Sequence, residues 1–238
     1  MAYTRHQLKQ DKFAETVAEQ VSWAVEHQKK IATVVVVGVA VVAILAGGWI
    51  YYNQRDQAAS SQMGDALHIY TAPLRPPNAP KQESLSFTSA KERAEAARKA
   101  FQQVEDKYPH TRAGEFARYF VGVSSMDMGD NATAEKVLKQ VAGSRDGNIA
   151  AVGKFALASV YRAENRDADA VKLYQDLAAH PTATVPRSTA QLELASLYQQ
   201  KQPEEAAKIY QQIQKDDPNS PAAQTAANRL ANLKPGSQ

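Results

Sequence analysis

Apolar positions follow two regimes along this chain. Residues Ile31 to Tyr52, IATVVVVGVAVVAILAGGWIYY, run for 22 positions without a charged side chain. As a helix rising about 1.5 Å per residue, this stretch extends roughly 33 Å, close to the ~30 Å hydrocarbon thickness of a bilayer. A strand of that length is out of keeping with strand geometry, so the run predicts a membrane-spanning helix over 31–52. Trp49, Tyr51 and Tyr52 stand at one end, where amphipathic rings prefer the lipid–water boundary. A cleaved signal peptide fits less well, because the preceding segment is long and polar and the apolar run exceeds a signal core. Ahead of it, Phe13, Val17, Val21 and Val25 recur every four residues, predicting a helix over Gln7 to Lys30. That stripe suits the inner membrane surface, a partner helix, or a simple lead into the span.

After residue 52 the pattern becomes periodic on a larger scale. Four segments share one motif: AARKAFQQV with its match starting at Ala97, AEKVLKQV from Ala134, AVKLYQDL from Ala170 and AAKIYQQI from Ala206. The leading alanines at 97, 134, 170 and 206 are 37, 36 and 36 residues apart. Each is followed by lysine at i+2, a large side chain at i+4 (Phe101, Leu138, Tyr174, Tyr210) and an aliphatic one at i+7 (Val104, Val141, Leu177, Ile213). The spacing i, i+4, i+7 is one face of a helix. A small residue lets a neighbouring helix approach, and the large one fills the space beside it.

A second helix family lies between these. FALASVY at Phe155 to Tyr161 matches LELASLY at Leu192 to Tyr198, and small residues recur at Gly122, Ala158 and Ala195. Turns are marked by Met128-Gly129-Asp130, Asn165-Arg166-Asp167 and Gln202-Pro203, and units close at Pro109, Gly143 to Gly147, Pro181 and Pro218. Paired helices that alternate small and large residues are similar to the tetratricopeptide pattern, whose ~34-residue period is slightly shorter. The predicted fold is all-α: an N-terminal transmembrane helix, then an α-solenoid of about four helix pairs, capped by a helix over Pro221 to Leu233. Its first pair falls at Gln57 to Tyr70 and Ser89 to Tyr108. Between them, the insert 71–89 carries prolines at 73, 76, 77 and 80 and reads as a surface loop or a Pro-rich docking segment. The expected organisation is a cytosolic helical segment 1–30, a transmembrane helix 31–52 and an exported repeat domain 53–238.

Charge orients this arrangement. Arg5, Lys9, Lys12, Lys29 and Lys30 precede the span, whereas only Arg55 lies close behind it, so the positive-inside rule puts the N-terminus in the cytosol. Within the span, Ala43 and Gly47 form a small-xxx-small pair, a pattern that allows helix association but is also simply common in membrane helices. The whole chain holds 28 Lys plus Arg against 25 Asp plus Glu, a near balance that argues against a nucleic-acid surface. It contains no cysteine, which excludes disulfides, thiolate metal sites and a thiol nucleophile.

No enzymatic chemistry is visible. His6, His27, His68, His110 and His180 share no ligand spacing, and no phosphate-cradling, nucleophile-elbow or zinc-helix motif occurs. Neither a metal nor a cofactor is expected. Glu204-Glu205 and Asp216-Asp217 stand at a helix start and end as solvated structure. What remains is the face formed by the first helix of each pair. Phe116, Tyr119, Phe155, Arg162, Leu192 and Gln199 are its expected groove residues, suited to an extended or helical peptide, although the apolar ones serve equally as inter-repeat packing.

A basic cytosolic segment ending in Lys29-Lys30, one span with Gly47-Gly48-Trp49 near its far end and repeats such as ALASVYRAENRDADAVKLYQDL together resemble the ancillary subunit family of the bacterial SecYEG translocon. The resemblance covers nearly the whole chain and rests on architecture and a degenerate repeat. It implies an inner-membrane protein with a periplasmic C-terminal domain. Its implied partners are translocon subunits, a periplasmic chaperone and the exported chains it receives or hands on. Other classes stay open: an envelope scaffold for division or cell-wall assembly, and a general periplasmic holdase.

Overall fold

A computed structural model describes residues 28–76 and 85–233. The helix expected over Gln7 to Lys30 and the middle of the insert therefore lie largely outside the described residues. The described chain is helical: α1 Gln28–Tyr70, α2 Ala90–Lys107, α3 Arg112–Asp127, α4 Asn131–Ala142, α5 Gly147–Ala163, α6 Asp167–Ala179, α7 Arg187–Lys201, α8 Pro203–Asp216 and α9 Pro221–Ala231. No strand forms among these residues; one isolated bridge pairs Leu74 with Phe87 at the base of the insert.

The chain divides into two compact units, Met1–Gln54 and Arg55–Gln238. In the first, α1 exposes its apolar side chains: Val34, Val36, Ile44 and Trp49 are each two-thirds or more open. A helix in a soluble core would bury them. By length and composition this helix is able to cross a membrane, as a span or as a signal sequence does.

The second unit starts with the last turns of α1, from Arg55 to Tyr70, and is a stack of antiparallel helix pairs. Local chemistry sets the helix starts. Ser89 Oγ accepts from Glu92 N at 3.1 Å, Thr111 Oγ1 from Gly114 N at 3.0 Å, Asp130 Oδ1 from Thr133 N at 3.1 Å, and Asp146 Oδ1 from Asn148 N at 2.8 Å. Each such cap satisfies an amide that the first turn leaves unpaired, and contributes about 1 kcal/mol. Pro203 and Pro221 occupy first-turn positions in α8 and α9, where a missing N–H costs nothing.

The repeated triplets form the spine of the core. Ala97/Phe101/Val104, Ala134/Leu138/Val141, Ala170/Tyr174/Leu177 and Ala206/Tyr210/Ile213 are all 2% exposed or less. The lysines at i+2 are exposed, as the opposite face requires. Gly122, Ala158 and Ala195 lie buried in the intervening helices. Close approach requires glycine at Gly114, where a Cβ would sit 1.9 Å from Tyr108 O, and at Gly153, where it would sit 2.7 Å from Ala142 N across the α4–α5 crossing. Consecutive helices pack in chain order, and α3 also touches α5 while α7 touches α9. Each helix thus meets its sequence neighbours or the next pair, the quasi-one-dimensional arrangement of a solenoid. The α9 helix covers the last pair through Ala226 and Leu230, which pack with Ala195, Tyr210 and Ile213.

Candidate functional site

The first helices of successive pairs are the end of α1, then α3, α5 and α7. The six expected groove residues all lie on α3, α5 and α7, and all six are half-buried. They do not gather into one patch. Phe116 packs against the first core cluster, Tyr119 and Phe155 against the second, and Leu192 against the third. Tyr119 stands edge-on to Phe120 at 5.1 Å and Phe155 edge-on to Tyr174 at 5.5 Å. Burial, helped by the Asp127 carboxylate, pushes the Tyr119 phenol above its ordinary pKa.

Arg162 is engaged by the protein itself. Its Nη1 donates to Glu193 Oε2 at 2.6 Å, tying α5 to α7. It is a brace between repeats. A larger brace stands at the α5–α6 turn, where Arg166 donates to Glu135, Glu164 and Asp169 and lies 4.1 Å over the Tyr161 ring. Asn165 adopts φ 60° to make that turn, a conformation asparagine tolerates better than most residues. Gln199 sits in the last turns of α7.

The repeat stack also carries an opening that its apolar periodicity does not mark. An apolar cleft of about 460 Å³ lies between the end of α1 and α3. From α1 it is lined by Asp56, Ser60, Met63, Gly64 and Leu67, which fall on one helical face. From α3 come Arg112, Ala113, Phe116 and Phe120. Tyr70 fixes the far end: its hydroxyl donates to Asp127 Oδ2 at 3.1 Å, and its ring meets Phe120 at 5.6 Å. Burial and the Asp127 charge push the Tyr70 phenol up to about 12. The two helices therefore run side by side in the same direction, with Asp56 and Arg112 at the other end of the cleft. Only Phe116 was among the expected residues. The signal available in the sequence was a glycine, Gly64, within a segment otherwise patterned as helix.

Among the described residues no group of three His, Asp or Glu side chains is placed to hold a metal ion. Arg112 Nε is 4.0 Å from Asp146, a loose pair with the arginine mostly exposed.

Comparison with known proteins agrees with this architecture. A family model described as a tetratricopeptide repeat-like domain matches residues 22–192, and one described as a tetratricopeptide repeat matches residues 189–220. Crystal structures of nearly identical TPR-like repeats are similar in fold; they come from a Podosopora anserina protein assigned provisionally as a kinesin light chain. Two such structures superpose with a TM-score of 0.56 at 18% identity, covering 75% of this chain and 85% and 86% of theirs. None of the curated proteins matches this chain. Repeats of this kind stack into an extended concave surface that binds other proteins.

Proposed function

We propose, given that this chain belongs to the tetratricopeptide repeat-like domain family, that it is a membrane-anchored protein-binding adaptor at the Sec translocon. One observation carries the reading. A helix long and apolar enough to cross a bilayer leads directly into a protein-binding repeat stack, so binding is held at a membrane. In this reading residues 31–52 are the anchor, residues 1–30 face the cytosol, and residues 53–238 lie in the periplasm of a bacterial cell. The lysine pair Lys29-Lys30 before the apolar run supports that orientation.

The repeat receives or hands on exported polypeptides, together with a periplasmic chaperone. Phe116, Tyr119, Phe155, Arg162, Leu192 and Gln199 contribute to its peptide-facing side. Their half-buried state supports this, since each is both anchored by packing and open to a partner. Nothing in the reading asks for catalysis.

The test is in-cell crosslinking of the tagged, full-length protein, with mass spectrometry of what co-purifies. Translocon subunits together with exported chains are the expected catch. Division or cell-wall proteins without any translocon component would replace the reading with an envelope scaffold.

A further inference from the structure

Glycine inside a helix costs stability relative to alanine, because the unfolded chain has more freedom to lose. In the repeat stack that cost is usually explained by contact. A side chain at Gly114, Gly122 or Gly153 would collide with a neighbour at less than 3 Å. Gly64 is different. A Cβ there meets no neighbouring atom within 4 Å, so packing does not require a glycine. What the missing side chain does is keep open the floor of the cleft between α1 and α3.

The rest of the cleft has the chemistry of a receptor. Met63 and Phe116 give it an apolar wall, and methionine adapts its shape to different occupants. At the end of the cleft nearest Arg112, Asp56 is half-buried and has no ion-pair partner among the described residues. Arg112, the cation on the same cleft, leans instead toward Asp146. An apolar pocket of this size beside an uncompensated carboxylate is complementary to large aliphatic or aromatic side chains next to a positive charge.

We propose that this cleft is the docking pocket for a short apolar segment of a partner polypeptide, with a lysine or arginine beside leucine- or phenylalanine-sized side chains. The inference rests on the reading of the repeat as a protein-binding surface and names where, and for what sequence chemistry, that binding is centred. The apolar side chains lie along Met63, Gly64 and Phe116, and the cation reaches Asp56.

The experiment holds the full-length protein in phospholipid nanodiscs and measures fluorescence anisotropy of two labelled peptides. They share a leucine- and phenylalanine-rich core and differ in one flanking residue, lysine or glutamate. The lysine peptide is expected to bind about tenfold more tightly. Gly64→Leu fills the cleft and weakens both peptides at least about tenfold, with the thermal melt unchanged or raised because leucine is a better helix former. Asp56→Lys reverses the preference between the peptides. Equal binding by wild type and Gly64→Leu would overturn the cleft while leaving the adaptor reading intact, whereas failure of the cell crosslinking would remove the adaptor reading itself. Indifference to the flanking charge would also overturn it. So would binding that emerges only when residues 234–238 are deleted, or a dimer that Gly64→Leu dissociates, since these give the cleft to the chain's own tail or to a second copy.

Discussion

Leu138 lies directly against Gly122, so closely that a Cβ on the glycine would fall 2.7 Å from its Cγ and Cδ2. Leu138 is fully buried and has no space to retreat. Gly122→Val should therefore lower stability by about 1–3 kcal/mol through overpacking. Leu138→Ala should cost about 2–5 kcal/mol by leaving a cavity. Made together, the two changes should cost clearly less than their sum, because the cavity accommodates the valine. Thermal unfolding of the full-length protein in detergent, followed by circular dichroism, measures all three; strict additivity would mean the two residues do not share this space.

Tyr210 is completely buried, and its hydroxyl makes no hydrogen bond among the described residues. A buried donor without a partner carries a desolvation cost with no return. Tyr210→Phe should leave the melting temperature unchanged or raise it, by the equivalent of about 1 kcal/mol. Tyr174, its counterpart one repeat earlier, has Ser159 Oγ 3.4 Å from its hydroxyl. Tyr174→Phe should accordingly be the less favourable of the two. A large loss of stability in Tyr210→Phe would show that its hydroxyl is satisfied in solution.

The Asp130 carboxylate is held below the ordinary aspartate range, chiefly by the hydrogen bonds it receives from Thr133 at the start of α4. A depressed folded pKa contributes stability above the unfolded value of about 4, and that contribution is lost as pH falls through the folded one. Asp130→Asn keeps a capping oxygen but removes the charge. Its melting temperature should converge on that of the wild type as pH drops from 5 toward 3. Parallel curves over that range would remove the charge from the account of this cap.

Tyr70 behaves in the opposite sense. Burial and the nearby Asp127 carboxylate hold its proton until about pH 12. A folded pKa raised above the ordinary tyrosine value of about 10 contributes stability that is complete below that value and is lost as pH rises through the folded one. Tyr70→Phe should be less stable than wild type at neutral pH, because it gives up the bond to Asp127, and should lose less between pH 10 and 12. Alkaline unfolding of the two proteins side by side tests this.

Much of the fold was legible from residue types. The alanine–large–aliphatic triplets predicted the buried face of α2, α4, α6 and α8, and every one of those positions is buried. The spacing works because a helix brings i, i+4 and i+7 together regardless of what it packs against. The candidate site was less legible. Arg162 was an expected groove residue, and the structure adds that Glu193, 31 positions away, pairs with its guanidinium. Such a pairing depends on how one repeat is rotated on the next, which no local pattern encodes.

By itself, the sequence determined the helices, their caps, their buried faces and the apolar stretch that separates two regimes of chain. Those features depend on contacts within about seven residues or on bulk hydrophobicity, and both can be counted along the chain. Only the tertiary structure decided which half-buried side chains share a surface. The cleft at Gly64 exists because α1 and α3, some fifty residues apart, are set side by side and position 64 puts no side chain between them. An empty volume belongs to the packing of two helices and to neither sequence alone.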